Sequence, residues 1–360
     1  MPISNSPSYP DTETSRTPHP GAGGFSPTSN KGNFYAPYKS VVAAALKSHL
    51  STEELRDLHK VQTGRHFLVA LRHVVVTAAI AAGLWYFEQP WIWVPLAFLQ
   101  GFQILGFVIL LHEQVHDAIF DRPRPGWMRF LGLAYAFPSS ISATQFGRWH
   151  LDHHAELGSW TDDPKRAHLT PKIVHPLYKL LYLTPALFVI YSIASAKEAR
   201  TYPAALRRRI NLERATNIGL HLAMLAALVA FAGWSVAVRV YLVPLFVMFP
   251  IAFTVNRLGQ HYDMDPSDPL KWTTLINPSP GWDFLYLWHN LHLEHHYYPR
   301  VPFYRLRELN RKLQPFYVEH AMRPRTYREL LWQWFVRNRT PHTLWLEGPE
   351  RSPEGVPRKV

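Results

Sequence analysis

The chain has 360 residues, enough for one large domain or two modest ones. It contains no cysteine, which excludes disulfides, thiolate metal sites, iron–sulfur clusters and a cysteine nucleophile. Hydrophobic residues make up 47% of it, yet the mean hydropathy is only -0.14, so the expectation is a few membrane spans carrying a substantial polar cap. A formal charge of +12 admits nucleic acid, anionic lipid or an acidic protein as partner. Beside membrane spans, the lipid surface and an acidic partner are the better readings, and nucleic acid is set aside.

Residues 1–40 form the first region, rich in Ser, Pro, Thr, Gly and Asn up to Ala36, and are expected to be disordered. They lack the basic start and apolar run of a signal peptide. His19-Pro20-Gly21-Ala22-Gly23 faintly resembles the haem loop of cytochrome b5, but no folded core is available around it and the likeness is rejected. Residues 41–340 are expected to form one membrane domain with a cap, and 341–360 a second loose tail.

Two apolar stretches come first, from about Arg72 to Phe87 and from Trp91 to Leu111, joined by a turn at Glu88-Gln89-Pro90. The second is uncharged and long enough to cross a bilayer of about 30 Å at about 1.5 Å per residue. Arg72 and His73 fall near one end of the first and can snorkel to the interface. Two more spans are read at Asn217 to about Val238 and at Val240 to Asn256, the latter bent by Pro244 and Pro250. Trp85, Trp91, Trp93 and Trp234 mark interface depth.

Tyr178 to Ala196 is also apolar, but basic residues flank it on both sides (Lys172 and Lys179 before; Lys197, Arg200 and Arg207 to Arg209 after). It is read as dipping into the interface and returning, as is Trp127 to Phe146. Both termini then lie on the cytoplasmic side. Val301 to Arg339 is amphipathic and basic and reads as helices covering the cap. The fold expected is all-α and integral to the membrane: four transmembrane helices with a helical cytoplasmic cap holding a di-metal site.

Histidines carry the chemistry. His112 and His116 stand in His-Glu-Gln-Val-His, where the span ending at Leu111 leaves the bilayer. His150, His153 and His154 stand in His-Leu-Asp-His-His, and His292, His295 and His296 in His-Leu-Glu-His-His. Spacings of three and four share one helix face, while adjacent residues point about 100° apart, so neighbours can serve different metals. Imidazole suits iron, zinc, copper and nickel. Eight such side chains exceed the about four ligands of one zinc and suit two metals side by side. Three such groups in one chain are not an accidental surface cluster.

Single histidines are weaker signals. His261, just past the fourth span, is taken as a ninth ligand. His289, one turn before His292, is read as a supporting donor rather than a ligand. His221 is assigned a helix–helix hydrogen bond, and His73, His175 and His342 no role. Glu113, Asp117, Asp152, Asp162, Asp163, Glu294 and Asn290 are candidates to hold the outer N–H of ligand histidines.

These three motifs around paired spans closely resemble the histidine boxes of integral-membrane fatty acid desaturases and hydroxylases. Asn290-Leu-His-Leu-Glu-His-His-Tyr-Tyr-Pro-Arg-Val-Pro is especially similar to the third box, and His150-Leu-Asp-His-His-Ala-Glu-Leu-Gly resembles that of sphingolipid desaturases. The resemblance covers about Phe67 to Leu313. It implies two iron ions, O2 as oxidant, and two electrons from a separate ferredoxin- or cytochrome-type protein, towards which a basic cap would steer an acidic donor. It also implies an extra ligand between the second and third boxes, which His261 fits, though in a Gln-His pair rather than the relatives' Glu-His or Asn-x-x-x-His. The substrate implied is a fatty acyl chain or acyl lipid entering from the bilayer, and the setting a bacterial inner membrane with the site facing the cytoplasm. The alternatives are a lipid hydroxylase, a carotenoid ketolase or hydroxylase, a non-enzymatic metal-binding or transport protein, and a zinc hydrolase, which would leave most of the histidines unexplained.

Overall fold

The computed structural model describes residues 33–339, except 160, 161, 172, 263 and 266 and the side chains of 167–169. The haem-like stretch, most of both tails and His342 lie outside the described residues. Among the described residues all regular structure is helical, apart from one isolated bridge between Ile276 and Arg325.

Helix α1 (Ala36–Leu46) starts inside the region assigned to the tail, because Pro37 suits a first helical turn and Tyr35, Val42 and Leu46 bury against the body. Helix α2 (Thr52–Leu58) opens on a reciprocal Ser51–Glu54 cap. Helices α3 (Thr63–Tyr86) and α4 (Pro90–Val115) form the first antiparallel pair, and both are apolar and long enough to cross a membrane. Helix α3 begins nine residues before the expected span, so His73 lies within the helix rather than near its end. Instead of snorkelling, its ring is buried and its Nε2 lies 2.8 Å from the Gln103 carbonyl. Gly106 leaves the room for it: a Cβ there would sit 2.2 Å from the imidazole.

Helix α5 (Pro125–Ala136) runs back beside α4 and leads into α6 (Ala143–Ala155). After α7 (Pro164–Leu169) come α8 (Pro176–Leu180) and α9 (Ala186–Ala199). The stretches Pro176–Leu183 and Ala186–Ala199 meet at 88°, so this apolar segment does not run straight through. Both of its ends are tied to the polar part of the molecule. Lys179 Nζ donates to the Trp334 and Arg339 carbonyls at 2.8 and 2.7 Å, and Ser195 Oγ donates to Gln145 of α6 at 3.0 Å. That geometry agrees with the expected dip and return.

The last apolar run, Ala204–Leu258, is 55 residues long and comprises α10 (Ala204–Ala237), a stretch at 238–248 and α11 (Phe249–Leu258). It is not one rod. His221 Nδ1 lies 2.6 Å from the Tyr241 hydroxyl, although 20 residues of straight helix would separate them by about 30 Å. The reversal is at Gly233, whose φ of 82° and ψ of 170° only glycine adopts readily. Two spans therefore come from this run, giving four with α3 and α4; the reversal falls beside Trp234, a few residues ahead of the boundary expected between Val238 and Val240. Beyond Gly233 the expected proline bend takes the form of widened turns, with Val243 N–H bonded to the Val238 carbonyl and Phe249 N–H to that of Pro244.

Short helices α12 (Pro280–Leu285), α13 (His292–Tyr297), α14 (Leu306–Lys312), α15 (Gln314–Glu319) and α16 (Tyr327–Leu331) build the cap. Their apolar faces join those of α4 and α11 in one continuous core. The expected basic stripe is partly consumed in cap ion pairs, Arg305 with Asp57, Arg307 with Asp283 and Lys312 with Glu54.

A Cβ at position 233 would meet nothing within 4 Å, so its cost is backbone strain alone. Gly233→Ala is expected to destabilise the fold by about 1–3 kcal/mol. The check is a lower thermal unfolding midpoint in detergent with an unchanged helical circular-dichroism signal at low temperature.

Candidate metal centre

Each histidine group is set by a clamp from elsewhere in the chain. Helix α4 carries His112 in its last turn and ends on His116 as its C-cap, and Glu113 there accepts the Phe303 backbone N–H at 2.9 Å. Helix α6 carries the second group. Its first turn is capped by Ser142, and Glu213 of α10 accepts from the Ser142 and Thr144 hydroxyls, both at 2.6 Å, and from the Thr144 N–H at 3.0 Å. Helix α13 has only six residues and would not hold alone. Glu294, fully buried within it, accepts from the Tyr317 hydroxyl at 2.7 Å and from the Asn310 amide. Burial pushes the Glu294 carboxyl above its ordinary range despite those donors.

All nine histidines singled out in the sequence converge, and they sort into two groups. His112, His116, His150, His154 and His295 offer nitrogens within 4.8 Å of one another, and so do His153, His261, His292 and His296. Every ring of both groups is buried except the partly buried His154. Nε2 is the inward nitrogen throughout. In the first group successive Nε2 atoms lie 3.1 Å apart (His112 to His295), 3.0 Å (His295 to His154), 3.0 Å (His154 to His150) and 2.7 Å (His150 to His116). In the second they lie 2.9 Å (His153 to His261), 3.2 Å (His261 to His292) and 3.1 Å (His292 to His296).

These contacts cannot all be hydrogen bonds. His153 Nδ1 faces the Asp163 carboxylate at 2.9 Å, and His261 Nδ1 faces the Trp272 carbonyl at 3.1 Å. A carboxylate and a carbonyl only accept, so both rings carry their proton on Nδ1. Both Nε2 atoms then present lone pairs to each other at 2.9 Å, which is repulsive unless a cation lies beside them. Two nitrogens each about 2.1 Å from one metal at a right angle are about 3.0 Å apart, which is the spacing seen here. The donor set fits metal ions, one for each group.

Electrostatics point the same way. Burial, reinforced by the Lys165 and Arg300 charges, drives His116 down to about 3. Burial also holds His150, His153, His261, His292, His295 and His296 well below the usual imidazole range. The rings are kept unprotonated, the state that binds a metal.

Of the acidic candidates, Asp163 holds the His153 ring at short distance, whereas Glu113 stands 3.4 Å from His112 Nδ1. Asp152 is committed to Arg148 through contacts of 2.9 and 3.0 Å, and Asp162 interacts with Ser159. Glu294 and Asn290 brace the cap, the latter donating to Asp283 at 2.9 Å. His221 makes the interhelical contacts expected of it, to Tyr241 and to the Phe137 carbonyl at 2.8 Å. His175 caps α8. Sequence reasoning missed the Trp272 carbonyl, which has no side-chain signal, and Lys165, whose charge acts on nearly every ring of the centre. It also missed His66, fully buried against the Tyr135 hydroxyl at 3.2 Å.

A membrane-anchored, all-helical protein with paired polyhistidine sites is thus the class defined by fold and site. The family model described as fatty acid desaturase matches residues 88–328, and the chain belongs to that family. It is similar to sphingolipid delta(4)-desaturase/C4-monooxygenase DES2 of Homo sapiens, 27% identical over 240 residues, which covers 63% of this chain and 67% of that protein. It is also similar to the sphingolipid delta(4)-desaturase DES1-like protein of Oryza sativa subsp. japonica, 24% identical over 249 residues, covering 66% and 69%. The DES2 protein of Bos taurus is 25% identical over 239 residues, covering 63% and 67%.

Asp163→Asn keeps a side-chain cap for α7 but removes the charge behind His153. It is expected to weaken metal binding about 10–100-fold, read by competition with a chelator. A pH dependence follows from the rings. In the unfolded chain they take up protons near their ordinary 6.5, while the folded chain refuses them down to about 3 at His116. The unfolded state therefore binds more protons as pH falls. Metal-free protein is expected to lose stability progressively below pH 6.5, measured by denaturant titration across the pH 6.5 to 4 range.

Proposed function

We propose that the nine histidines hold two iron ions, and that the protein uses O2 and two electrons from a separate carrier to desaturate a long-chain lipid. The observation that carries this reading is the pair of imidazole-only groups, five and four, at the cap-side ends of the spans. An unactivated methylene C–H bond is too strong for a side-chain acid or base to break. Iron in these groups would supply the oxidising chemistry.

The chain's own residues do the rest. The Asp163 carboxylate and the Trp272 carbonyl orient the rings of His153 and His261 and fix which nitrogen faces inward. Glu213 and Glu294 set the helices that carry the second and third groups. The apolar side chains of α4 that lead up to His112, including Leu105, Val108 and Leu111, are buried and keep water from the approach. An alkyl chain would reach the centre from the bilayer side, between the spans and the cap. The flanking basic residues Lys197, Arg200 and Arg207 to Arg209 support a cytoplasmic cap by the positive-inside rule.

The relatives named for sphingolipid delta(4)-desaturation favour a sphingoid chain as the substrate over a free fatty acid. Hydroxylation is a second reading, favoured by the C4-monooxygenase activity in the names of two of them. A metal transporter would instead distribute ionisable groups along the spans.

Lipid extracts of a host with and without the gene, compared by mass spectrometry, test this. The expected outcome is a sphingolipid lighter by two hydrogens, or heavier by one oxygen, that is absent under anaerobic growth and with His150→Ala. An unchanged lipid profile alongside histidine-dependent metal uptake would overturn the enzyme reading, and a ketolated or hydroxylated carotenoid would redirect it.

A further inference from the structure

Consecutive backbone N–H groups just ahead of α1 all end on the far terminus of α6. Asn33 N–H donates to Glu156 Oε1 at 2.8 Å, Phe34 N–H to Glu156 Oε2 at 3.1 Å, and Tyr35 N–H to the Ala155 carbonyl at 3.0 Å. Asn33 sits in the left-handed region at φ 51°, which asparagine tolerates and which helps turn successive N–H groups toward one anion. Glu156 is buried and is the C-cap of α6, directly after the turn that carries His153 and His154. Both of its oxygens are thus satisfied by a segment from the other end of the sequence.

The same segment reaches a second support of the centre. The ring centroids of Phe34, Tyr35 and Tyr38 lie 6.0, 6.0 and 4.8 Å from that of Trp272. Trp272 is buried, and its carbonyl accepts from His261 Nδ1 at 3.1 Å. Its ring also lies against Gly158, where a Cβ would come within 2.5 Å of it, so it touches the turn that leaves α6. One part of the segment therefore stands behind His153 and another behind His261, whose Nε2 atoms face each other at 2.9 Å.

That pair needs holding. His153 is in the last turn of α6, where helices fray, and His261 lies beyond the end of α11. Two inward lone pairs at their distance push apart until a cation joins them. The first group leans less on this corner, since it draws His112 and His116 from α4 and His295 from α13.

We propose that the stretch from Asn33 to Tyr38, anchored on Glu156, is a strap that sets the spacing of His153 and His261 and through it the affinity of the second group for its metal. Glu156 is a positioning residue: it supplies no atom to either group and acts through the end of α6. The proposal rests on the nine-histidine reading of the metal sites, and the test separates the two. Purified iron-loaded protein is titrated with a chelator, with iron counted by elemental analysis and the sites followed by their Mössbauer signals. The signal missing from His261→Ala marks the second group. Wild type with fewer than two irons per chain would defeat the nine-histidine reading and the proposal with it.

Glu156→Gln keeps the shape and one acceptor but sets an amide nitrogen against a backbone N–H. It is expected to keep two irons and to release the second-group iron about tenfold more readily, with the first-group iron unchanged. Glu156→Ala removes both acceptors and is expected to go further in the same direction. Trp272→Leu keeps the carbonyl but removes the ring the strap packs on, and is expected to match Glu156→Gln. The two changes combined are expected to add little to either alone, because they break the same strap. A general loss of stability would instead loosen both irons together. Should Glu156→Ala fail to fold, Glu156→Gln and Trp272→Leu carry the test. Equal loosening of both irons, loosening of the first alone, or no change in either overturns the proposal.

Discussion

The contact on which the rest of the molecule turns is the one between His153 and His261. Two unprotonated nitrogens stand 2.9 Å apart in a buried place, each with its outer N–H already given away. Around it the chain gathers seven more inward-facing imidazoles, and burial holds His153 and His261 well below the usual imidazole range. Such a cluster is a poor core and a good cage. The capped α6, the braced α13 and the close packing of α4 all serve to hold an arrangement that is unfavourable until a cation is present.

Much of this was legible in the sequence because the histidine groups sit on helices. A spacing of three or four residues fixes a face before any tertiary contact forms, so eight positions could be read directly. His261 was legible from its place just past a span. The break between the third and fourth spans was legible to within a few residues from the interface Trp234 and from Arg239, while Gly233, which supplies the backbone freedom the reversal requires, was not singled out. The sphingolipid-like second group also agreed with the proteins the chain is similar to.

Other features depend on contacts that no local pattern encodes. Helix α3 extends nine residues beyond its apolar stretch because cap contacts such as that of Gln62 N–H with the Tyr304 hydroxyl hold its start. His73 turned inward because Gly106 on a different helix leaves space. Among the carboxylates, sequence proximity was a weak guide. Asp152 lies inside a histidine motif yet pairs with Arg148, while Asp163, ten residues beyond His153, reaches that ring. The distinction is one of direction: a side chain on the helix face away from the site cannot serve it, however near in the chain.

The order in which the pieces are made has its own consequence. His112 and His295, whose nitrogens lie 3.1 Å apart, are separated by 183 residues, and α13 is braced by Tyr317 and Asn310 from still later in the chain. A nascent chain halted after its last span would carry most of the imidazoles but neither a complete cage nor the brace that shapes it. Both groups are therefore complete only once the cap has been translated, and until then the second group lacks His292 and His296 and the first lacks His295.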